Sequence, residues 1–554
     1  MFSNRTSAEN PFNPHNALLA ARFFLRLPFH LWNPVSPEQA AALLRTRLER
    51  REARFLDKLH TEVFGPRSAA SPYLALFRRA GCEYGDVERL VARHGIEGAL
   101  RALLRAGVYL SVDEFKGRKP IERGTFSLPS APEQIRNPRT VPHIPVASGG
   151  SRSQGTSVVI DLRFVRGCAS ECLLYLEARG GLEWAKAVWE VPGAGARFRL
   201  AKYGAMATRP SAWFSQVDPK AKDLHPVYRL NTRAMRWSSL MAGRPLPRPV
   251  HAPLTDPRPV LDWLQGALRE GRTPHLFTFP SSAVALCRAA KVEGRDIAGA
   301  RFTIGGEPVT EARLATIRAV GAEAFPRYGT VECGPIGYGC LAPAHADEVH
   351  LLHDQHALIL AGEEAAGWPG LRPDSVLITA LDPYSPFTFI NISMGDSACL
   401  TGEGHPPCGC PLEARGWRTR LHGIRSYEKL TGAGMTFFSE DVIRVLEEVL
   451  PARFGGAPTD YQICEQEKPD GGADTVLIVH PGVGPVDERL LIEGFLEALA
   501  EGSVANQVMG RMWREAQLLR VERRIPSTTR AGKIQHFHVA RPFRTSDPPS
   551  TPPL

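Results

Sequence analysis

Residues 146–158 read VASGGSRSQGTSV and run into the apolar Val158-Val159-Ile160. Three glycines leave room for backbone N–H groups to approach a phosphate, because no Cβ stands in the way. Ser148, Ser151, Ser153 and Thr156 add hydroxyl donors. A plain turn or linker can have the same composition. Neither the GK[ST] ending of a Walker loop nor the GxGxxG dinucleotide fingerprint is present. The reading of this loop therefore depends on what surrounds it.

Downstream, β-rich runs at 157–162, 173–177, 276–279 and 301–305 alternate with helical patterns at 262–270, 283–291 and 311–320. Such alternation implies parallel sheet covered by helices. Upstream, 43–64 has the spacing of an exposed amphipathic helix, and 71–105 reads as two or three helices. The proline-rich stretch 244–259 reads as a surface connection. The pattern changes at 416–423. Beyond it, a helix at 439–450, a strand at 475–480 and a helix at 488–501 make a small α/β unit. The expected fold class is α/β, with a large N-terminal domain of helix-covered sheets and a smaller C-terminal α/β domain. The expected divisions are a helical extension (1–70), the main domain (71–420), the smaller domain (421–540) and a Pro/Ser/Thr-rich disordered tail (541–554).

With 554 residues, 43% hydrophobic and 23% charged, the composition is that of a globular protein of more than one domain. The net charge of +9 suits anionic ligands, but it forms no long basic block and no nucleic-acid motif accompanies it. No run of eighteen apolar residues exists, and Arg22 and Arg26 interrupt the apolar stretch 17–32, which argues against a membrane span or a signal peptide. Ten cysteines in so long a chain suit a reducing cytoplasm better than a disulfide framework.

Four further motifs follow the loop in order. They are Ile304-Gly305-Gly306-Glu307-Pro308, Arg327-Tyr328-Gly329-Thr330-Val331-Glu332, Asn391-Ile392-Ser393-Met394-Gly395-Asp396 and Thr529-Arg530-Ala531-Gly532-Lys533-Ile534. The series, over roughly residues 70–540, resembles the adenylate-forming superfamily of acyl-CoA synthetases, adenylation domains and firefly-type luciferases. Within it the chain looks most like the phenylacetate–CoA ligase group, which has a GGEP turn, a YGxxE segment and a late CxC.

The resemblance implies a mobile C-terminal lid and a role for each motif. Ser148, Gly149, Gly150, Ser151 and Thr156 would hold the β- and γ-phosphates of ATP. Tyr328 would stack on adenine, with Gly305, Gly306, Glu307 and Gly329 lining the same wall. Glu332 would bind Mg2+, Asp396 would accept hydrogen bonds from the ribose hydroxyls, and Arg425 is the nearest equivalent of the hinge arginine. Lys533 would be carried by the lid to the carboxylate and the α-phosphate. Cys340, His350, Cys408 and Cys410 match positions of a structural Zn2+ site in this group; His345 or Cys333 could substitute, and buried reduced cysteines are the alternative. The chain departs from the family pattern at three points. The loop has Arg152-Ser153-Gln154-Gly155 in place of its lysine, Val331 replaces a hydroxyl residue, and Gly423-Ile424-Arg425-Ser426-Tyr427 lacks the hinge acids.

The implied activity is ATP-dependent activation of a small carboxylic acid to an acyl-adenylate, then transfer to the thiol of CoA or of a carrier protein's phosphopantetheine. Transfer to an amine or a protein side chain is the alternative, as is a non-catalytic nucleotide-binding homologue. The acid pocket is expected from 203–214, 276–282, Gly305-Gly306 and residues after Gly334. No membrane or nucleic-acid partner is implied, and a homodimer is compatible with the reading.

Overall fold

The computed structural model describes residues 14–147, 157–191, 193–206, 208–221, 226–402, 406–426, 431–432, 435–436, 442, 444–467, 473–501, 504–526 and 537–540. Two short hairpins come first: β1 (Ile121–Arg123) with β2 (Phe126–Leu128), and β3 (Ile144–Ala147) with β4 (Ser157–Ile160).

A twelve-stranded mixed sheet follows. Its strands are β5 (Ala185–Glu190), β6 (Pro210–Ser215), β7 (Pro249–His251), β8 (Pro274–Thr278), β9 (Arg301–Gly305), β10 (Glu323–Thr330), β11 (Gly334–Gly339), β12 (Val349–Leu351), β13 (His356–Leu360), β14 (Ser375–Ala380), β15 (Ile392–Thr401) and β16 (Arg420–Ser426). Their spatial order is β13-β14-β15-β16-β12-β11-β10-β9-β8-β5-β6-β7. From β7 to β10 every pairing is parallel; from β10 to β13 every pairing is antiparallel. β17 (Thr431–Gly432) and β18 (Met435–Thr436) pair as a short ribbon. A second sheet holds β19 (Tyr461–Glu467), β20 (Ala473–Val479), β21 (Leu519–Arg523) and β22 (Phe537–Ala540) in the order β21-β20-β19-β22.

The parallel half is apolar on both faces, as strands covered by helices must be. All six residues of β5 and all five of β8 are buried. The period of two divides them between layers. Val188 and Phe277 face the core that holds helices Leu162–Ala178 and Ala194–Gly204, while Ala187, Trp189 and Leu276 face helices Arg258–Arg269 and Pro280–Val292. The smaller sheet is backed by Glu488–Ala500, whose Leu491, Phe495 and Leu499 pack with Tyr461, Ile463, Leu477 and Val479. Asp487 caps that helix, accepting from Arg489 N at 2.8 Å and Leu490 N at 3.2 Å.

The helix-covered α/β architecture agrees with the sequence, and three expectations need correction. Residues 173–177 are not a strand; they lie inside Leu162–Ala178, in a wholly buried part of that helix. A short continuous apolar run does not by itself separate buried helix from buried strand. The expected helix 43–64 is two helices, Pro37–Glu49 and Arg51–Glu62, broken at Arg50. Nor is its charged face wholly exposed. Arg47 lies 3.3 Å from both Glu171 and Asp354, and Lys58 and Glu62 form a buried pair at 2.8 Å. The main sheet also continues through β16, past the expected boundary at 420.

Lys58 also donates to Asp382 O (3.2 Å) and Ser385 Oγ (3.1 Å), and Thr388 Oγ1 donates to Glu62 (2.6 Å). Replacing Lys58 by Met leaves the Glu62 carboxylate buried without its counter-charge. Urea unfolding of Lys58→Met should show a loss of about 3–5 kcal/mol, and Lys58→Met/Glu62→Leu a smaller one. Equal losses in both would show that the ion pair itself is not the cause.

Candidate functional site

Three of the motifs meet where the parallel strands end, the usual location for ligands in open α/β sheets. β9 ends in Gly305, and β10 carries Tyr328 to Thr330. A Cβ on Gly305 would sit 2.5 Å from the Arg327 carbonyl oxygen, so the two backbones can approach only because residue 305 is glycine. Gly306 has φ +88°, and a Cβ there would meet the Phe279 ring at 3.3 Å. The Glu307 carboxylate points into the fold. It accepts from Ser281 N at 3.0 Å and Ser281 Oγ at 2.7 Å, and pairs with the buried Arg313 at 3.1 Å. Those bonds fix the turn against the start of helix Pro280–Val292, a positioning role that the motif reading did not supply.

Tyr328 and Asp396 are in contact. The phenol donates to Asp396 Oδ2 at 2.9 Å, joining β10 to β15 across 68 residues of chain. Asp396 is 8% exposed and follows Gly395, whose φ is +82°. Glu332 is only 2% exposed, and no hydrogen bond or ion pair reaches it among the described residues. Its oxygens are not among the fully buried atoms that lack a hydrogen-bond partner, and a carboxylate so placed is the kind of group that takes an oxygen-seeking cation such as Mg2+. Next to it, the Thr330 hydroxyl accepts from Cys333 N at 3.2 Å.

Arg425 pairs with Asp347 at 2.9 Å, and Asp347 also accepts from Gly423 N (3.0 Å) and Ile424 N (2.8 Å). One carboxylate, remote in sequence, thus holds Gly423, Ile424 and Arg425 of β16. No local signal marks Asp347 in the sequence. Ser148, Gly149, Gly150, Ser151, Arg152, Gln154, Thr156 and Lys533 lie outside the described residues. The strands flanking the loop pair in register from Ile144↔Ile160 to Ala147↔Ser157.

The sulfur cluster is assembled from three places. Cys340 follows β11, His350 lies on β12, and Cys408 and Cys410 precede the short helix Pro411–Ala414. One donor atom from each lies within 4.8 Å of all the others. His350 Nε2 is 3.5 Å from Cys408 Sγ and 3.1 Å from Cys410 Sγ. His350 Nδ1 donates to Trp417 O at 2.5 Å, which leaves Nε2 as the lone-pair nitrogen facing the thiols. Burial lowers the His350 pKa and so favours the neutral ligand form. Burial also pushes the Cys340 thiol well up. At Cys410 burial acts upward too, but amides of Leu341, Glu413 and Leu412 outweigh it and hold the thiol below its ordinary value. Three sulfurs and one imidazole nitrogen at these separations fit a tetrahedral Zn2+ set, whose donor atoms stand roughly 3.5–3.8 Å apart. His345 instead stacks on His422, with ring centroids 3.9 Å apart, and Cys333 bonds locally to Thr330.

No family model matches the chain, and no curated protein matches it. Among solved structures it is similar to a 2-hydroxyisobutyryl-CoA ligase in complex with 2-HIB-AMP and CoA. The identity is 15%, the alignment covers 91% of this chain and 90% of that one, and the TM-score is 0.48. It is also similar to an amide bond synthetase from Marinactinospora thermotolerans (13% identity, 88% and 92% covered, TM-score 0.39). A third similarity is to an anthranilate CoA ligase in complex with anthranoyl-AMP (11% identity, 74% and 67% covered, TM-score 0.31).

Metal analysis of the purified protein should find about one zinc per chain. Cys410→Ser should remove most of it and lower the melting temperature, because metal affinity at such a site is coupled to folding. Zinc well below half an equivalent, together with an unchanged melting temperature in Cys410→Ser, would assign the cluster to buried reduced thiols.

Proposed function

We propose that the chain activates a small carboxylic acid with ATP, releasing pyrophosphate and forming an acyl-adenylate, and then passes the acyl group to a thiol of CoA or of a carrier protein's phosphopantetheine. The phenylacetate–CoA ligase group is the branch we favour. The observation that carries the reading is the 2.9 Å contact between Tyr328 and Asp396, which brings two remote motifs together. Glu332, 2% exposed, lies four residues beyond Tyr328.

In this reading the nucleoside sits between the Tyr328 ring and the Gly305-Gly306 wall. Asp396 accepts from the ribose hydroxyls, and Tyr328 orients that carboxylate. Glu332 holds Mg2+, which would offset triphosphate charge. The hairpin loop 148–156 grips the outer phosphates. The acid approaches so that one carboxylate oxygen lies in line with the α-phosphate. Lys533 reaches the two reacting groups as charge shifts in the transition state. Transfer to an amine shares this first half and differs only in the acceptor.

Pyrophosphate exchange should therefore require a cognate acid, and the products should be AMP and pyrophosphate. Release of ADP and phosphate would overturn the mechanism. Asp396→Ala should weaken ATP binding by roughly tenfold or more, because it removes a ground-state contact. Lys533→Ala should leave ATP affinity nearly unchanged while slowing adenylation on the order of tenfold to several hundredfold. Its transfer step from preformed acyl-adenylate should survive. An unchanged adenylation rate in Lys533→Ala would remove that residue from the mechanism.

A further inference from the structure

One ring in the expected acid pocket is surrounded by cations. Around Phe277 of β8, the Arg199 guanidinium carbon lies 4.1 Å, the Lys202 ammonium 5.9 Å and the Arg327 guanidinium carbon 6.0 Å from the ring centroid. Arg199 and Lys202 come from the helix after β5, and Arg327 directly precedes Tyr328 on β10. Adjacent strand residues leave opposite faces, so the nucleotide tyrosine and this arginine serve two sides of the same strand. Phe277 and Tyr203 belong to segments that the sequence assigns to the acid pocket. Lys202 also lies 5.1 Å from the Tyr203 ring.

Among the described residues the charges in this cluster do not balance. Glu190 is the carboxylate paired here, with Arg199 at 3.1 Å, and the two side chains are 4% and 16% exposed. Lys202 is 1% exposed and has no hydrogen bond or ion pair among the described residues; nor does Arg327. Arg327 Nε, Glu190 Oε1 and Tyr338 Oη are buried without a hydrogen-bond partner. Burial, and then the neighbouring cations, pull the Lys202 pKa down. By contrast, the buried Lys58 and Arg313 are each paired with a carboxylate. Three cations beside one acid mark a place for an incoming anion.

We infer that the acyl pocket selects an acid bearing a second anionic group, such as a dicarboxylate or a sulfonated carboxylate, held by Arg199, Lys202 and Arg327. The inference rests on the adenylating function proposed above. The first carboxylate reacts at the α-phosphate, and the second group neutralises the cluster around Phe277. An uncharged end would leave the buried Lys202 and the half-buried Arg327 without a counter-charge, and the protein would discriminate against it for that reason.

The test is ATP–pyrophosphate exchange by the full chain with matched acids: glutarate, adipate and 4-sulfobenzoate against pentanoate, hexanoate and 4-methylbenzoate. The best dianionic acid should exceed its uncharged counterpart in kcat/KM by about tenfold or more. Arg327→Gln and, separately, Lys202→Gln should bring that ratio close to one, mainly by raising KM for the dianionic acid while the uncharged acid keeps or gains activity. Uncharged acids that equal or surpass their charged counterparts in the parent protein would overturn the inference and leave adenylation standing. Exchange with no acid of either class would sink the adenylating function, and this inference with it.

Discussion

The hydrogen bond from Tyr328 to Asp396 ties together two halves of one sheet that are built by different rules. On one side of β10 the strands are parallel, buried on both faces and joined by helices. On the other side they are antiparallel. β10 belongs to both halves, and its register with β11 shifts between Tyr328 and Gly329. A bulge of this kind re-aims a side chain at the edge of regular pairing. The site depends on that junction, because Gly305, Tyr328 and Asp396 approach one another only if β9, β10 and β15 keep their places.

Charge is buried in this molecule in two ways. Lys58 with Glu62, Arg313 with Glu307 and Arg123 with Glu114 each bring a cation to a carboxylate within 3.1 Å. These pairs hold segments far apart in the chain, or fix a turn, and their cost of desolvation is offset by mutual attraction. The group around Phe277 is different in kind, since among the described residues its cations outnumber its acid and several of its polar atoms are unpaired. That difference, rather than the presence of arginine, separates a binding environment from a structural one.

The Cys/His cluster shows how a metal-suited geometry can arise from unhelpful spacing. CxC alone is tighter than the commonest zinc spacings. Pairing of β11 with β12 puts Tyr338 opposite His350, which brings the residue after β11, Cys340, alongside. The loop before Pro411–Ala414 then adds Cys408 and Cys410, and the Trp417 carbonyl fixes the imidazole. The same apolar packing that positions Trp417 therefore orients a ligand.

Local patterns in the sequence were enough to indicate helix-covered parallel strands and the order of the motifs. Periodicity is a property of neighbouring residues and survives without tertiary information. Composition likewise limited the class of protein. Other features could not be read locally. Residues 173–177 are as apolar as a buried strand, and only their surroundings make them helix. Glu307 has the position of a ligand-lining acid, yet Ser281 and Arg313 hold it inside the fold. Asp347, Arg199 and Lys202 carry no motif, because their meaning lies in what stands beside them from remote parts of the chain. Sequence determined the alternation of helices and strands over most of the main domain, since that follows from short-range sterics and hydrophobic spacing. Tertiary structure alone decided which charges are paired and which are not, since desolvation and Coulomb energy depend on distances that the chain order does not contain.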